Sequence, residues 1–167
     1  MAEETPKKID PIRETDDEAR ALARSLLAEA RYGAIGVRDP ESGVPVVTRI
    51  AVARTEAGQP LTLVSSLSHH TKGLLADPAC SLLLGEPKDK GDPLVFPRIT
   101  LQCAARFVAR DAPERPALRA HYLTQQPKAE LYIDFGDFSL VVLEVREAYL
   151  NGGFAKAYNL TPADLGL

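Results

Sequence analysis

Val46-Val47-Thr48-Arg49-Ile50-Ala51-Val52-Ala53, then Glu56-Ala57-Gly58-Gln59, then Leu61-Thr62-Leu63-Val64-Ser65, reads as two strands joined by a hairpin loop. Both flanks are rich in β-branched residues, and Gly58 supplies the turn. Upstream, Ala34-Ile35-Gly36-Val37 is a short strand stopped by the turn Asp39-Pro40-Glu41-Ser42-Gly43. Strand, short Gly turn, strand is the grammar of an antiparallel meander.

The same grammar extends in both directions. Ser68 caps a short helix that Pro78 prevents from running beyond Asp77. Cys80 to Gly85 is an apolar fourth strand, and Pro87 to Pro97 is a loop long enough to serve an interface or an opening. Arg98 to Ala109 alternates Ile99, Leu101, Cys103 and Ala105 as a long strand. Pro113 to Thr124 reads as a helix, Lys128 to Tyr132 as a further helical turn, and Phe138 to Ala148 with Tyr149 to Tyr158 as a closing pair of strands. Towards the N-terminus, Thr15 and Glu18 have capping-box spacing ahead of Ala19, Leu22, Ala23, Leu26, Leu27 and Ala30. That predicts one amphipathic helix ending near Gly33, a C-cap. The sum is a mainly β chain: a six- or seven-stranded antiparallel β-barrel with peripheral helices, its edges removed by closure. The predicted organisation is a flexible arm over 1–14, one domain over 15–160 and a tail over 161–167.

Composition narrows the function. At 167 residues the length suits one core. A net charge of -3 argues against nucleic acid as partner. No apolar run approaches the roughly 18 residues of a membrane span, and the polar start at Met1 to Asp10 does not read as a signal peptide. Cys80 and Cys103 are too few for a disulfide framework, so the expected compartment is the cytoplasm. Both thiols read as structural core residues, since free Cys is usually buried. Tyr122, Tyr132, Phe135 and Phe138 read as core or dimer contacts.

Chemistry follows by elimination. His69 and His70 are adjacent and cannot share a helix face, His121 is distant, and no Cys-x-x-Cys spacing exists, so no metal site is expected. There is no nucleophile elbow and no Gly-rich phosphate loop. The remaining constellation is Arg49 on the second strand, Ser65 and Ser66 ending the third, and Thr71 with Lys72 in the first turn of the short helix. A hairpin can bring these together as an anion site, with charge-assisted donors for a phosphate dianion. Spacing alone favours solvated charges and helix-capping hydroxyls.

Thr48 to Ala53 followed by Ser65-Ser66-Leu67-Ser68-His69-His70-Thr71-Lys72-Gly73-Leu74-Leu75-Ala76-Asp77-Pro78 closely resembles the FMN-binding split-barrel flavoproteins. The nearest branch is that of the pyridoxamine 5'-phosphate oxidase-like proteins associated with haem utilisation. Leu84-Gly85-Glu86-Pro87, Gly91-Asp92-Pro93-Leu94, Pro97 to Gln102, Phe135-Gly136-Asp137-Phe138 and Gly152 to Ala157 agree in order and spacing. The resemblance implies a split barrel, a homodimer with FMN at the interface, and an oxidoreductase acting on an unidentified small molecule. The alternatives are a haem-binding or haem-utilisation protein, or a flavin-binding module without turnover. It also implies roles. Arg49 binds the FMN phosphate, Ile50, Ala51 and Val52 offer backbone groups to the ring, and Ser65 and Ser66 contact the phosphate and ribityl chain. His70 stands at the helix start beside the phosphate, and Thr71 and Lys72 complete the clamp. Arg98 and Gln102 lie on the strand that the partner subunit contributes. Arg54 stands near the flavin, and Phe154 and Lys156 close the ring side. No residue is assigned as acid or base.

Overall fold

The hairpin forms, but as an interrupted strand. In the computed structural model, which describes residues 10–167, β3 (Pro45–Ala51) stops at Val52 and resumes as β4 (Ala53–Arg54). β3 pairs with β2 (Tyr32–Arg38), whereas β4 pairs with β5 (Pro60–Ser65). Val52 is buried and ties the junction down: its N–H donates to Arg31 O at 2.9 Å, and its carbonyl accepts from Gln126 Nε2 at 2.9 Å.

The remaining elements hang on this frame. β1 (Ile12–Arg13) and α1 (Asp17–Glu29) precede β2. After β5 come α2 (His69–Ala76), β6 (Ala79–Leu84), β7 (Arg98–Phe107), α3 (Arg115–Gln125), β8 (Phe138–Asn151), β9 (Ala157–Leu160) and α4 (Pro162–Leu165). Short 3-10 turns cover Pro93–Val95 and Pro127–Leu131. The hydrogen-bonded path runs β1-β9-β8-β7-β6-β2-β3, with β5 and β4 branching from β8.

β8 organises the sheet. One of its edges pairs with β7 along almost its whole length. The other edge pairs with β5 over Phe138 to Val142 and with β9 over Ala148 to Asn151. Its alternating side chains feed two cores. Val141, Leu143 and Val145 enter the main cluster, which also holds Ala23, Leu27, Ile35, Leu82 and Leu101. Leu140 and Val142 enter a smaller cluster with Leu61, Tyr122 and Ile133 beneath α3. The fold is mainly β and split-barrel-like, as expected.

Several details differ from the sequence reading. The sheet has nine strands among the described residues and is mixed, because β1 runs parallel to β9. It is not a closed ring: no ladder joins β3 to β5, so β3 keeps a free edge among the described residues. The expected closing pair is one 14-residue strand followed by a short one. Ala148 and Tyr149 lie mid-ladder opposite Leu101 and Thr100. The chain reverses instead beyond Asn151, where Gly153 and Ala155 hold φ values of 119° and 55°. The α1 cap is Asp16, whose carboxylate accepts from Ala19 N at 2.8 Å, while the Thr15 hydroxyl donates to Asn159 O. α1 ends at Glu29. Gly33 is inside β2, opposite Ile50, where a Cβ would meet Leu84 Cδ2 at 2.7 Å and Leu83 O at 2.8 Å.

The residues expected as a tail form α4, capped reciprocally by Thr161 and Asp164, with Leu165 buried and Asp164 bonded to Arg20 Nε at 2.8 Å. Of the expected arm, residues 1–9 lie outside the described residues, and Ile12–Arg13 is the strand β1.

Candidate functional site

The strand end, the helix start and the far side of the hairpin meet at one cavity of about 370 Å³. That is within the range of about 300–1,000 Å³ usual for small-molecule sites. Arg49, Ile50 and Ala51 of β3 form one wall, and Leu63 and Ser65 of β5 another. Ser68 and His70 close it from the start of α2; Tyr122, Tyr132 and Phe138 supply an aromatic side. Phe138 is there because β5 and β8 pair with Ser65 opposite it. The Tyr132 and Phe138 rings lie 5.0 Å apart between centroids.

Arg49 is exposed, and no carboxylate among the described residues pairs with it. Its guanidinium rests over the Tyr32 ring, 5.5 Å from the centroid. The register explains the stack: Ala34 opposes Arg49 and Tyr32 is the diagonal neighbour on the same face. Every second backbone group of β3 faces away from β2, its single ladder partner. One of these is used internally, since the buried Thr62 hydroxyl donates to Ala51 O at 2.7 Å.

The turn into α2 is held by its own hydroxyls. Thr71 Oγ1 donates to Ser65 O at 2.6 Å, and Ser65 Oγ donates to Asp137 Oδ2 at 2.9 Å while accepting from Leu67 N. Ser66 N donates to Asp137 O at 2.7 Å. The donor protons of Ser65 and Thr71 are therefore committed to shaping the turn. Ser68 is different: it is the N-cap of α2 but makes no side-chain capping bond. The N–H groups of His69 and His70 precede the first helical acceptor. The free donors at this end are the Arg49 guanidinium, the Ser66 and Ser68 hydroxyls, and the start of α2.

His70 is 8% exposed, and its Nδ1 lies 2.9 Å from Thr48 Oγ1. Burial, and secondarily the charge of His69, lower its pKa, so the ring is neutral near pH 7. Burial raises the Tyr122 phenol, which stays protonated.

The other expected residues lie elsewhere in this chain. Lys72 is exposed on α2 outside the cavity. Arg98 lies at the start of β7, its guanidinium donating to Leu94 O at 3.0 Å. Gln102 is exposed farther along β7 and lines a separate cavity. Phe154, 91% exposed, and Lys156 lie in the turn before β9. Arg54 has its backbone bracketed by the Gln125 amide, with both hydrogen bonds at 2.9 Å. Val52 has no free N–H to offer a ring, because that group is spent on Arg31 O.

Sequence reading missed Ser68 as an open donor and the three aromatics as cavity walls. It also missed Gln125 and Gln126, which clamp the β3–β4 junction. The aromatics carried no usable signal, because each reaches the cavity from a different element.

The split-barrel-like fold and this cavity define a class before any relative is considered. The sequence pattern of the pyridoxamine 5'-phosphate oxidase family matches residues 19–152, and the chain belongs to that family. It is 38% identical over 117 residues to the chloroplastic haem oxygenase HOZ of Arabidopsis thaliana, covering 70% of this chain. This chain spans about a third of that relative, since the match covers 34% of it. A haem-binding protein from Mycobacterium smegmatis superposes with a TM-score of 0.79 at 28% identity, over 93% of this chain and 62% of that one. HutZ, the haem storage protein of Vibrio cholerae, superposes with a TM-score of 0.69 at 18% identity, over 78% of this chain and 92% of that one, a likeness of fold. No helix among the described residues is long and apolar enough to cross a membrane.

Proposed function

We propose that this protein binds FMN in the Arg49–His70 cavity and acts as an FMN-dependent oxidoreductase on a small molecule. The observation that carries the reading is the convergence, on one cavity, of an unpaired Arg49, the open start of α2 and the free edge of β3. The residues fit the cofactor. A phosphate dianion suits the Arg49 guanidinium, the Ser68 and Ser66 hydroxyls and the N–H groups of His69 and His70. Ala51 presents its edge N–H to a planar ring, Ile50 lines the same wall, and Tyr122, Tyr132 and Phe138 give it an apolar side. Bound FMN supplies two-electron redox chemistry, and the protein's part is to hold it and exclude water. His70 enters as a neutral hydrogen-bonding group beside the phosphate.

Arg98 and Gln102 belong to this reading through a second copy of the chain, whose β7 would bring them to the cavity of the first. We therefore propose a homodimer, working in the cytoplasm. A second reading, haem binding, is favoured by the haem-related names of the relatives.

One experiment separates the readings: an absorption spectrum of the purified protein, taken after incubation with FMN and desalting, then repeated with haem. Retained flavin bands that Arg49→Ala removes support the first reading. A Soret band that forms with haem while FMN washes out overturns it in favour of the second.

A further inference from the structure

Cys80 and Cys103 are far apart in sequence, yet the β6–β7 register makes them Cα partners. Directly opposed residues of an antiparallel pair have Cα atoms about 4.5–5.5 Å apart and side chains on the same face. A disulfide spans about 4.4–6.8 Å between Cα atoms, so the backbone already satisfies its geometry. Both cysteines are free, and they are 8% and 5% exposed. They line the same cavity, of about 520 Å³, which is distinct from the Arg49 cavity and is also lined by Arg38 and Arg146. β7 also shifts register against β8 between Gln102 and Cys103, so Cys103 stands at an irregular point of the ladder.

The thiols are not equivalent. The neighbouring Cys80 side chain and burial push the Cys103 thiol up, while the Cys80 thiol beside it is held lower. Cys80 is also the more exposed of the two, 8% against 5%, which suits it to attack and Cys103 to resolve.

We propose that Cys80 and Cys103 are a redox-active pair that a peroxide converts to a disulfide across β6 and β7. The Cys80 sulfur attacks one peroxide oxygen, the O–O bond breaks, and a sulfenic acid forms with release of water or an alcohol. The Cys103 sulfur then attacks the sulfenic sulfur, the S–S bond forms, and water leaves. Two electrons pass from the two sulfurs to the peroxide, and the two thiol protons end in the released products.

The test treats the reduced full-length protein with hydrogen peroxide, blocks remaining thiols with an alkylating agent under denaturing conditions, and reads intact mass and linked peptides. The expected result is joint loss of alkylation at both positions and an unalkylated mass lower by two hydrogen atoms. It also includes a Cys80–Cys103 linked peptide and full reversal by dithiothreitol, with no covalent dimer. In Cys103→Ser, a sulfenic acid on Cys80 accumulates and is captured by dimedone; in Cys80→Ser, no such capture occurs. Undiminished alkylation after peroxide, sulfinic acids without a linked peptide, or a bond between two chains would each overturn the proposal. The wild-type peptide map decides even where a serine variant fails to fold.

Discussion

Arg49 and His70 face the same cavity but do opposite things with charge. Arg49 is exposed and unpaired by any carboxylate among the described residues, so its removal has little to do with folding. Hydrogen bonds to charged groups contribute about 1.5–3 kcal/mol. Arg49→Ala should therefore weaken FMN retention by about 10- to 100-fold, read by flavin fluorescence titration, with the thermal midpoint of the apoprotein unchanged. His70 is buried, and its pKa is lowered from 6.5. The unfolded chain therefore binds more protons than the folded one once pH falls below about 6.5, so folding stability falls with pH there. A series of thermal midpoints in that range should show the decline in wild type and a flatter profile in His70→Gln. Asp39, Asp134 and Asp164 do not confuse this window. Ser42, Arg119 and the Thr161 N–H respectively hold them below 3.8, and their contribution is present above that value and lost only as pH falls through it.

At the scale of elements, α2 is positioned by a close approach. A Cβ on Gly73 would meet Val37 Cγ2 at 2.7 Å and Arg38 O at 2.9 Å. Alanine gains about 0.8–1.0 kcal/mol of helix propensity over glycine, whereas overpacking a filled contact costs about 1–3 kcal/mol. The steric term wins because one of the obstructing atoms is backbone. Gly73→Ala should lower the denaturation midpoint, and by shifting α2 off β2 it should also weaken FMN retention. A stabilised variant would show that the contact yields. At α1 the cap is Asp16, not Thr15, and Asp16→Ala should cost about 1 kcal/mol by chemical denaturation. Thr15 has the spacing of a cap, but its hydroxyl is engaged by β9 through Asn159 O.

For the whole molecule, β8 and α4 matter most. β8 carries both cores on its two faces and three strands on its two edges. α4 returns to α1 through the Arg20–Asp164 pair and buries Leu165 in the main core. Leu165→Ala should cost about 2–5 kcal/mol, the usual range for a buried leucine. An unaltered unfolding midpoint would mean that α4 is dispensable.

Local chemistry in the chain determined a good deal by itself. Alternation, turn residues and proline stops located α2 and most of the strands, because these are short-range effects of side-chain shape and backbone freedom. The same local chemistry marked Arg49, Ser65, Ser66, Thr71 and Lys72 as potential anion donors, because their types and order are visible in one dimension. Register and pairing lie outside that reach. Only the tertiary structure decided that β3 breaks at Val52, because Gln126 arrives there from beyond α3. Only it turned Ser65 and Thr71 inward to hold the turn and left Ser68 open. It alone brought Cys80 and Cys103 face to face, since the partner of a strand residue is set by a ladder between distant segments.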